Sequence, residues 1–135
     1  EGLRNRVTLC AGGSIRSSAD MVKTIALGAD VVGVCTAALI AMGCRVCQSC
    51  HLGNCSWGIA TQRPDLVSRL DPEQGAERVV RLLSAWNEEL KEILGAMGID
   101  SVESLVGNRD RLRYIGSNPR IADVMGIKHA GEGWG

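Results

Sequence analysis

Residues 6–35 read RVTLCAGGSIRSSADMVKTIALGADVVGVC, and this stretch decides the fold. Arg6–Ala11 is a short apolar run rich in strand formers, and it stops at Gly12-Gly13. Ser17-Ser18-Ala19-Asp20 has capping-box spacing, with Ser17 capping a helix and Asp20 reaching back to it. Ala19, Met21, Val22, Ile25 and Ala26 keep an apolar stripe on that helix, and Gly28 is placed to end it. Ala29–Cys35 is a second apolar run without alternation, as suits a strand covered on both faces. Strand, helix, strand predicts a βαβ unit with parallel strands.

Both strand ends carry turn chemistry. Gly12-Gly13-Ser14 follows the first strand and leads towards a helix start, where free backbone N–H groups and the helix dipole favour a phosphate. Glycine also lets a ligand approach the backbone closely. The second strand ends at Cys35-Thr36, again at a helix start. Two consecutive strand-to-helix turns sharing one phosphate is the arrangement of barrel enzymes, in the loops after strands 7 and 8. A tight turn without a ligand is the competing reading of Gly12-Gly13. The dinucleotide fingerprint G-x-G-x-x-G is absent.

Further along, Thr36 is placed to cap a helix over Ala37–Met42 that stops at Gly43. Then come four cysteines, Cys44, Cys47, Cys50 and Cys55, spaced C-x2-C-x2-C-x4-C. The bacterial ferredoxin run is C-x2-C-x2-C-x3-C, one residue shorter, so the spacing points to an iron–sulfur cluster and electron transfer. Three other readings stand beside it. Structural zinc usually takes two knuckles with a spacer, and there is no spacer here. A disulfide framework suits a secreted scaffold, but no signal peptide is visible. A redox dithiol is satisfied by one C-x-x-C. His51 reads as a neighbour of the cluster that hydrogen-bonds a sulfur or a carbonyl. Cys10 and Cys35, in apolar runs, read as buried thiols acting as small hydrophobes.

Gly58–Leu70 reads as loop or short helix. Asp71-Pro72-Glu73-Gln74 is a helix start, with Asp71 as cap, Pro72 in the first turn and Gln74 closing the box. The helix runs to about Met97, and Val79, Leu83, Trp86, Leu90, Ile93 and Met97 form an apolar face expected to pack on a sheet or barrel. Gly98 ends it, Ser101–Val106 is one more short helix, and Arg109, Asp110, Arg111 and Arg113 form a solvated charged turn. Gly126–Gly135 reads as a flexible tail or an arm wrapping a partner.

The 135 residues suffice for one domain. Zero formal net charge argues against nucleic acid and anionic membrane as main partners. No apolar stretch reaches the ~18 residues of a spanning helix. There is no Phe, so the core falls to Val, Ile, Leu, Ala and Met, and 17 glycines fit the tight loops of an α/β protein. The chain begins at Glu1, which reads as a processed chain or a segment of a longer one. Free thiols suit a reducing cytoplasm. Two strands cannot be buried on both faces by three or four helices, so further strands are expected from upstream chain or another subunit.

The stretch from Gly2 to Gln62 resembles the FMN-binding domain of the glutamate synthase large-subunit family. The matching pieces are Gly13-Ser14-Ile15-Arg16-Ser17, Ala26-Leu27-Gly28-Ala29-Asp30, Thr36 through Cys44, Cys50-His51-Leu52-Gly53-Asn54-Cys55 and Gly58-Ile59-Ala60-Thr61-Gln62. Ser14 stands where the family usually has a second Gly, Gly12 where many relatives have an acidic residue, Cys35 in place of a Gly, and Ser56-Trp57 in place of Pro-Val.

The resemblance implies an α/β fold: the last two strands of a TIM-type (β/α)8 barrel, an iron–sulfur loop and a helical C-terminal extension. The divisions are 1–43 for the βαβ unit with the FMN-phosphate turns, 44–62 for the loop, 63–125 for the extension and 126–135 for the tail. Gly12, Gly13, Ser14, Cys35 and Thr36 are the FMN-phosphate candidates, and Cys44, Cys47, Cys50 and Cys55 the metal candidates. The family's 3Fe–4S pattern C-x5-C-x4-C maps onto Cys44, Cys50 and Cys55, and Cys47 could complete a 4Fe–4S cluster.

The implied activity is reductive amination of 2-oxoglutarate to glutamate. The implied partners are the rest of the barrel, a glutamine amidotransferase, and an NAD(P)H- or ferredoxin-linked electron donor. Catalytic residues are expected on strands outside this stretch. A relative making N-methylglutamate and a stand-alone electron-transfer module are the alternatives.

Overall fold

The computed structural model describes residues 2–133. The chain folds as mixed α/β with two small parallel sheets. Strands β1 (Cys10–Gly12) and β2 (Val31–Gly33) pair in parallel, with Cys10 opposite Val31, Ala11 opposite Val32 and Gly12 opposite Gly33. Helix α1 (Ser18–Ala26) connects them. The parallel βαβ unit expected from residues 6–35 is therefore present.

Both strands are shorter than their apolar runs. Before Cys10 the ladder is replaced by a side chain. The Asp30 carboxylate accepts from the Leu9 N–H at 2.8 Å and pairs with Arg4 at 2.8 Å, while the Asp30 and Val31 N–H groups donate to the Leu9 carbonyl. Among the described residues each strand has one neighbour, and Val7, Leu9 and Val31 stay exposed.

Ser17 caps α1 as expected, its side chain accepting from the Asp20 N–H. Asp20 does not close the box onto Ser17. Its carboxylate takes the Arg16 N–H at 3.1 Å and pairs with Lys23 at 2.8 Å. Val22, Ile25 and Ala26 of α1 enter a core completed by Leu94, Ile99 and Leu105, with Val32, Leu90, Ile93 and Met97 packed around it.

After β2 the chain enters α2 (Thr36–Ala41). Thr36 is the first helical residue and not the cap. Cys35 holds the cap position, and no side chain caps α2. A short helix, α3 (Pro64–Val67), follows the cysteine loop. The long helix α4 (Pro72–Ala96) starts at the expected cap, with Asp71 accepting from the Glu73 and Gln74 N–H groups. Such a cap contributes about 1 kcal/mol. The Gln74 side chain does not complete the box, since it bonds Arg78 one turn on at 2.6 Å.

The apolar face of α4 packs mainly on helices α1 and α2, and Val32 of β2 lies against the same core. Trp86 is buried and Leu90, Ile93 and Met97 are half-buried, but Leu83 is 48% exposed and Leu82 is the more enclosed of the two. The enclosed residues Leu82, Trp86, Leu90 and Leu94 stand four apart, so the contact follows an i, i+4 row that passes beside Leu83. The Ser18 hydroxyl, buried where α1 meets α4, is satisfied by Glu89 at 2.7 Å.

Helix α5 (Val102–Leu105) is capped by Ser101 and carries Leu105, which is fully enclosed. The charged turn is exposed at Arg109, Asp110 and Arg111 as expected, and half-buried at Arg113. Arg109 reaches the Leu27 carbonyl, and Arg113 donates to the carbonyls of Asp110, Leu112, Glu132 and Gly133. Strand β3 (Arg113–Tyr114) pairs in parallel with β4 (Lys128–His129) across α6 (Pro119–Met125), within the region read from sequence as extension and tail. Residues 134–135 of that tail, like Glu1, lie outside the described residues. Cys10 and Cys35 are exposed rather than buried. Among the described residues no third strand borders the β1–β2 pair, which leaves Cys10 open, and Cys35 lies past the end of β2 at the start of α2. Among the described residues no helix is long and apolar enough to cross a membrane.

Candidate functional site

Two backbone turns meet at the carboxyl ends of β1 and β2. Gly13 has φ 101° and Ser14 has φ 57°, so the first turn runs through left-handed conformations that favour glycine. A Cβ at Gly13 would meet nothing within 4 Å, so the backbone angle and not crowding calls for glycine there. The Asp20 carboxylate, by taking the Arg16 N–H, folds the end of this turn back onto α1. Lys23, then the Arg16 N–H, then Ser17 hold that carboxyl well down, at about 2.

The second turn leaves β2 through Gly33 and Cys35 into the uncapped start of α2. Between the turns lies a cavity of about 130 Å³ lined by Gly13, Ser14, Ile15, Arg16, Gly33, Cys35 and Thr36. Four of the five phosphate candidates therefore share one cavity. Gly12 does not line it. It faces Gly33 across the ladder, where a Cβ would come 3.3 Å from the Gly33 carbonyl oxygen. Arg16 and Gly33 line the cavity without having been singled out. Arg16 was visible as the only cation of the first turn, three residues after Gly13. The cavity fits a small anion: it offers backbone turns, two hydroxyl side chains and one guanidinium, and it exceeds the ~30 Å³ share of a water.

Helix α2 links this cavity to the cysteine loop. Its six residues rise by about 9 Å, with Thr36 at one end and Gly43-Cys44 just past the other. All six cysteines are free thiols. Cys44 and Cys55 are half-buried, whereas Cys47 and Cys50 are exposed. The Cys44 sulfur accepts from the Val46 N–H at 3.4 Å. Around Cys55 the backbone folds back, and the N–H groups of Ala60 and then Trp57, helped by Ile59 and Gly58, hold its thiol below the ordinary range against partial burial. Amide donors aimed at a sulfur favour the thiolate, the form that binds metal.

The four thiols are not gathered into a coordination sphere. Among the described residues no three His, Cys, Asp or Glu side chains stand together as a metal site. The donor set itself fits iron: soft thiolates on one short loop, one of them already stabilised by amides. His51 sits in the same loop, in a 3-10 turn over Cys50–Leu52.

Comparisons with known proteins agree in direction. A family profile described as the conserved region in glutamate synthase matches residues 1–100. The archaeal glutamate synthase [NADPH] of Methanocaldococcus jannaschii is 62% identical over 132 residues, covering 98% of this chain and 26% of that protein. The archaeal-type glutamate synthase [NADPH] of Thermotoga maritima is 55% identical over 134 residues, covering 99% of this chain and 26% of that protein. The glutamate synthase [NADPH] large chain of Azospirillum brasilense is 34% identical over 132 residues, covering 90% of this chain and 9% of that protein. The chain thus spans about a quarter or less of the length of these curated relatives.

Proposed function

The chain belongs to the glutamate synthase family, and we propose that it is the FMN-phosphate and iron–sulfur segment of an enzyme that reductively aminates 2-oxoglutarate to glutamate. The observation that carries this reading is the single cavity shared by Gly13, Ser14, Arg16, Cys35 and Thr36 at one end of α2, with the cysteine loop at the other.

In this reading β1 and β2 are strands 7 and 8 of a TIM-type barrel, and their unpaired edges accept the strands that complete it. The parallel register and the exposed Val7, Leu9 and Val31 support that arrangement. The turn N–H groups and Arg16 bind the phosphate and so fix the position of the flavin. Gly12 serves the ladder. Cys44, Cys50 and Cys55 hold a 3Fe–4S cluster, with Cys47 available as a fourth thiolate. Bound FMN supplies hydride chemistry and the cluster supplies single electrons. The chain's own residues bind and orient. The acid or base that handles the imine's proton belongs to other strands.

The names of the relatives make NADPH the first electron source to test, with a companion subunit or a ferredoxin as the route of delivery. Ammonia from a glutamine amidotransferase is the proposed amino donor, and a reducing cytoplasm suits the free thiols.

The test uses the full-length enzyme purified without oxygen. FMN, iron and sulfide are measured per chain, and glutamate formation from 2-oxoglutarate is followed with ammonia and with methylamine. Flavin with iron and sulfide, and turnover with ammonia, is the expected result. Preference for methylamine would make it an N-methylglutamate-forming relative. Iron without flavin would leave an electron-transfer module, and zinc without iron would overturn the redox reading.

A further inference from the structure

The cysteine loop is held at its two ends by one side chain. Trp57 lies two residues after Cys55, and Gly43 one residue before Cys44. The Trp57 indole Nε1–H donates to the Met42 carbonyl at the end of α2, at 2.7 Å. Its ring lies so close over Gly43 that a Cβ there would fall 2.2 Å from Nε1. Gly43 also has φ 109°, so no other residue suits that position. The Arg45 guanidinium lies over the Trp57 ring, 5.9 Å from its centroid.

The neighbouring Gly58 is buried, and a Cβ there would come 2.5 Å from the Leu66 carbonyl oxygen of α3. The Cys44 N–H is tied to the Leu39 carbonyl at 2.9 Å, and an antiparallel bridge joins Asn54 to Thr61. Between these anchored legs, Arg45–Gln48 is exposed throughout, and Val46 and Gln48 sit at φ 54° and 59°.

We propose that Trp57 is a positioning residue that latches the Cys55 leg of the loop to the Cys44 leg across Gly43. It sets the separation of those two thiols before any cluster is built, and only the Cys47–Cys50 segment has to close. The inference rests on the iron–sulfur reading above. A half-buried hydrogen bond and a ring seated on glycine are local to the loop entrance, so the latch acts on the loop and not on the cavity at the far end of α2.

The full-length enzyme carrying Trp57→Phe keeps the aromatic face and loses the Nε1–H donor. Trp57→Val loses both. Three quantities are read: the rate at which a chelator removes iron under anaerobic conditions, the line shape of the cluster's paramagnetic resonance signal, and FMN per chain. Amide exchange across residues 44–60 is measured in the iron-free enzyme. Trp57→Phe is expected to release iron about fivefold faster, as the loss of one hydrogen bond implies. It should also broaden the resonance signal and speed exchange at Cys44 and Cys55–Gly58, with FMN content and α4 protection unchanged. Trp57→Val should exceed it in each respect.

Wild-type iron release, signal and exchange in both variants would overturn the latch. So would a parallel loss of FMN and α4 protection, which would mark Trp57 as a general folding residue. If the wild-type enzyme holds no iron, the cluster reading fails and exchange alone decides. Faster loop exchange in Trp57→Phe then supports the latch, and unchanged exchange overturns it.

Discussion

The two ends of α2 present two kinds of site in two states of readiness. At the N-terminal end, Gly13, Ser14, Cys35 and Thr36 already share a cavity. At the C-terminal end, the four thiols are on one loop but do not converge among the described residues. The first site is made of backbone, and its geometry is settled once β1 and β2 pair. The second is made of side chains on an irregular loop, whose positions no ladder fixes. A backbone site comes with the fold, whereas a thiolate site takes its final form from the binding energy of its metal.

The largest effect should come from the anchored and exposed thiols together. In the full-length enzyme, Cys50→Ala or Cys55→Ala should abolish the cluster's visible absorbance while FMN per chain stays near wild type. Joint loss of absorbance and flavin would show that the two sites are not independent, and the contrast between them would fail. Next comes Gly13→Val. A β-branched residue at φ 101° costs roughly 1–3 kcal/mol, so FMN affinity should fall by about tenfold or more with iron retained. Equal loss of flavin and iron would mean that Gly13 serves folding rather than binding.

A smaller effect is expected from acid. The Asp20 carboxyl, which folds the first turn onto α1, is held down to about 2 by Lys23 and the Arg16 N–H, against an ordinary value of 3.8. A depressed folded-state value stabilises the turn above the unfolded value and is lost as pH falls through the folded one. Asp20 thus contributes fully above about pH 4, and progressively less between about 4 and 2. Acid unfolding of wild type should be steeper over that window than that of Asp20→Asn. Identical acid limbs would show that the carboxylate contributes nothing there.

How much of this was legible follows from the range of each interaction. Ser17 and Asp71 were readable as caps because each bonds an N–H two or three residues away. The parallel pairing followed from two apolar runs with a capped helix between them. The misread partners, Gln74 bonding Arg78 and Asp20 bonding Arg16 and Lys23, are choices among neighbours of similar distance that sequence does not rank. Leu83 belongs to a 4-3-4-3 stripe, but the same helix also offers the i, i+4 row Leu82, Trp86, Leu90 and Leu94, and only the packing chooses between them. The β3–β4 pair escaped notice because two-residue strands carry no periodicity and their partner lies fifteen residues away. At the site, the cysteine spacing was plain. Arg16 was passed over because a cation beside a glycine turn has no spacing rule to announce it.

Cys47→Ala should have the smallest effect, and it separates the two thiol pairs most finely. Cys44 and Cys55 flank the loop and are half-buried, and Cys55 already has amide donors on its sulfur. Cys47 is exposed and sits between Val46 and Gln48, both in the left-handed region. Drawing its thiolate inwards moves a strained backbone that no described hydrogen bond to another element holds, whereas Cys50 needs only the 3-10 turn it begins to swing. A three-thiolate centre on Cys44, Cys50 and Cys55 therefore asks less of the loop. Iron per chain and the paramagnetic resonance spectrum should be unchanged in Cys47→Ala. Loss of one iron per chain, with a new 3Fe-type signal appearing only in the variant, would instead make Cys47 the fourth ligand and the wild-type centre 4Fe–4S.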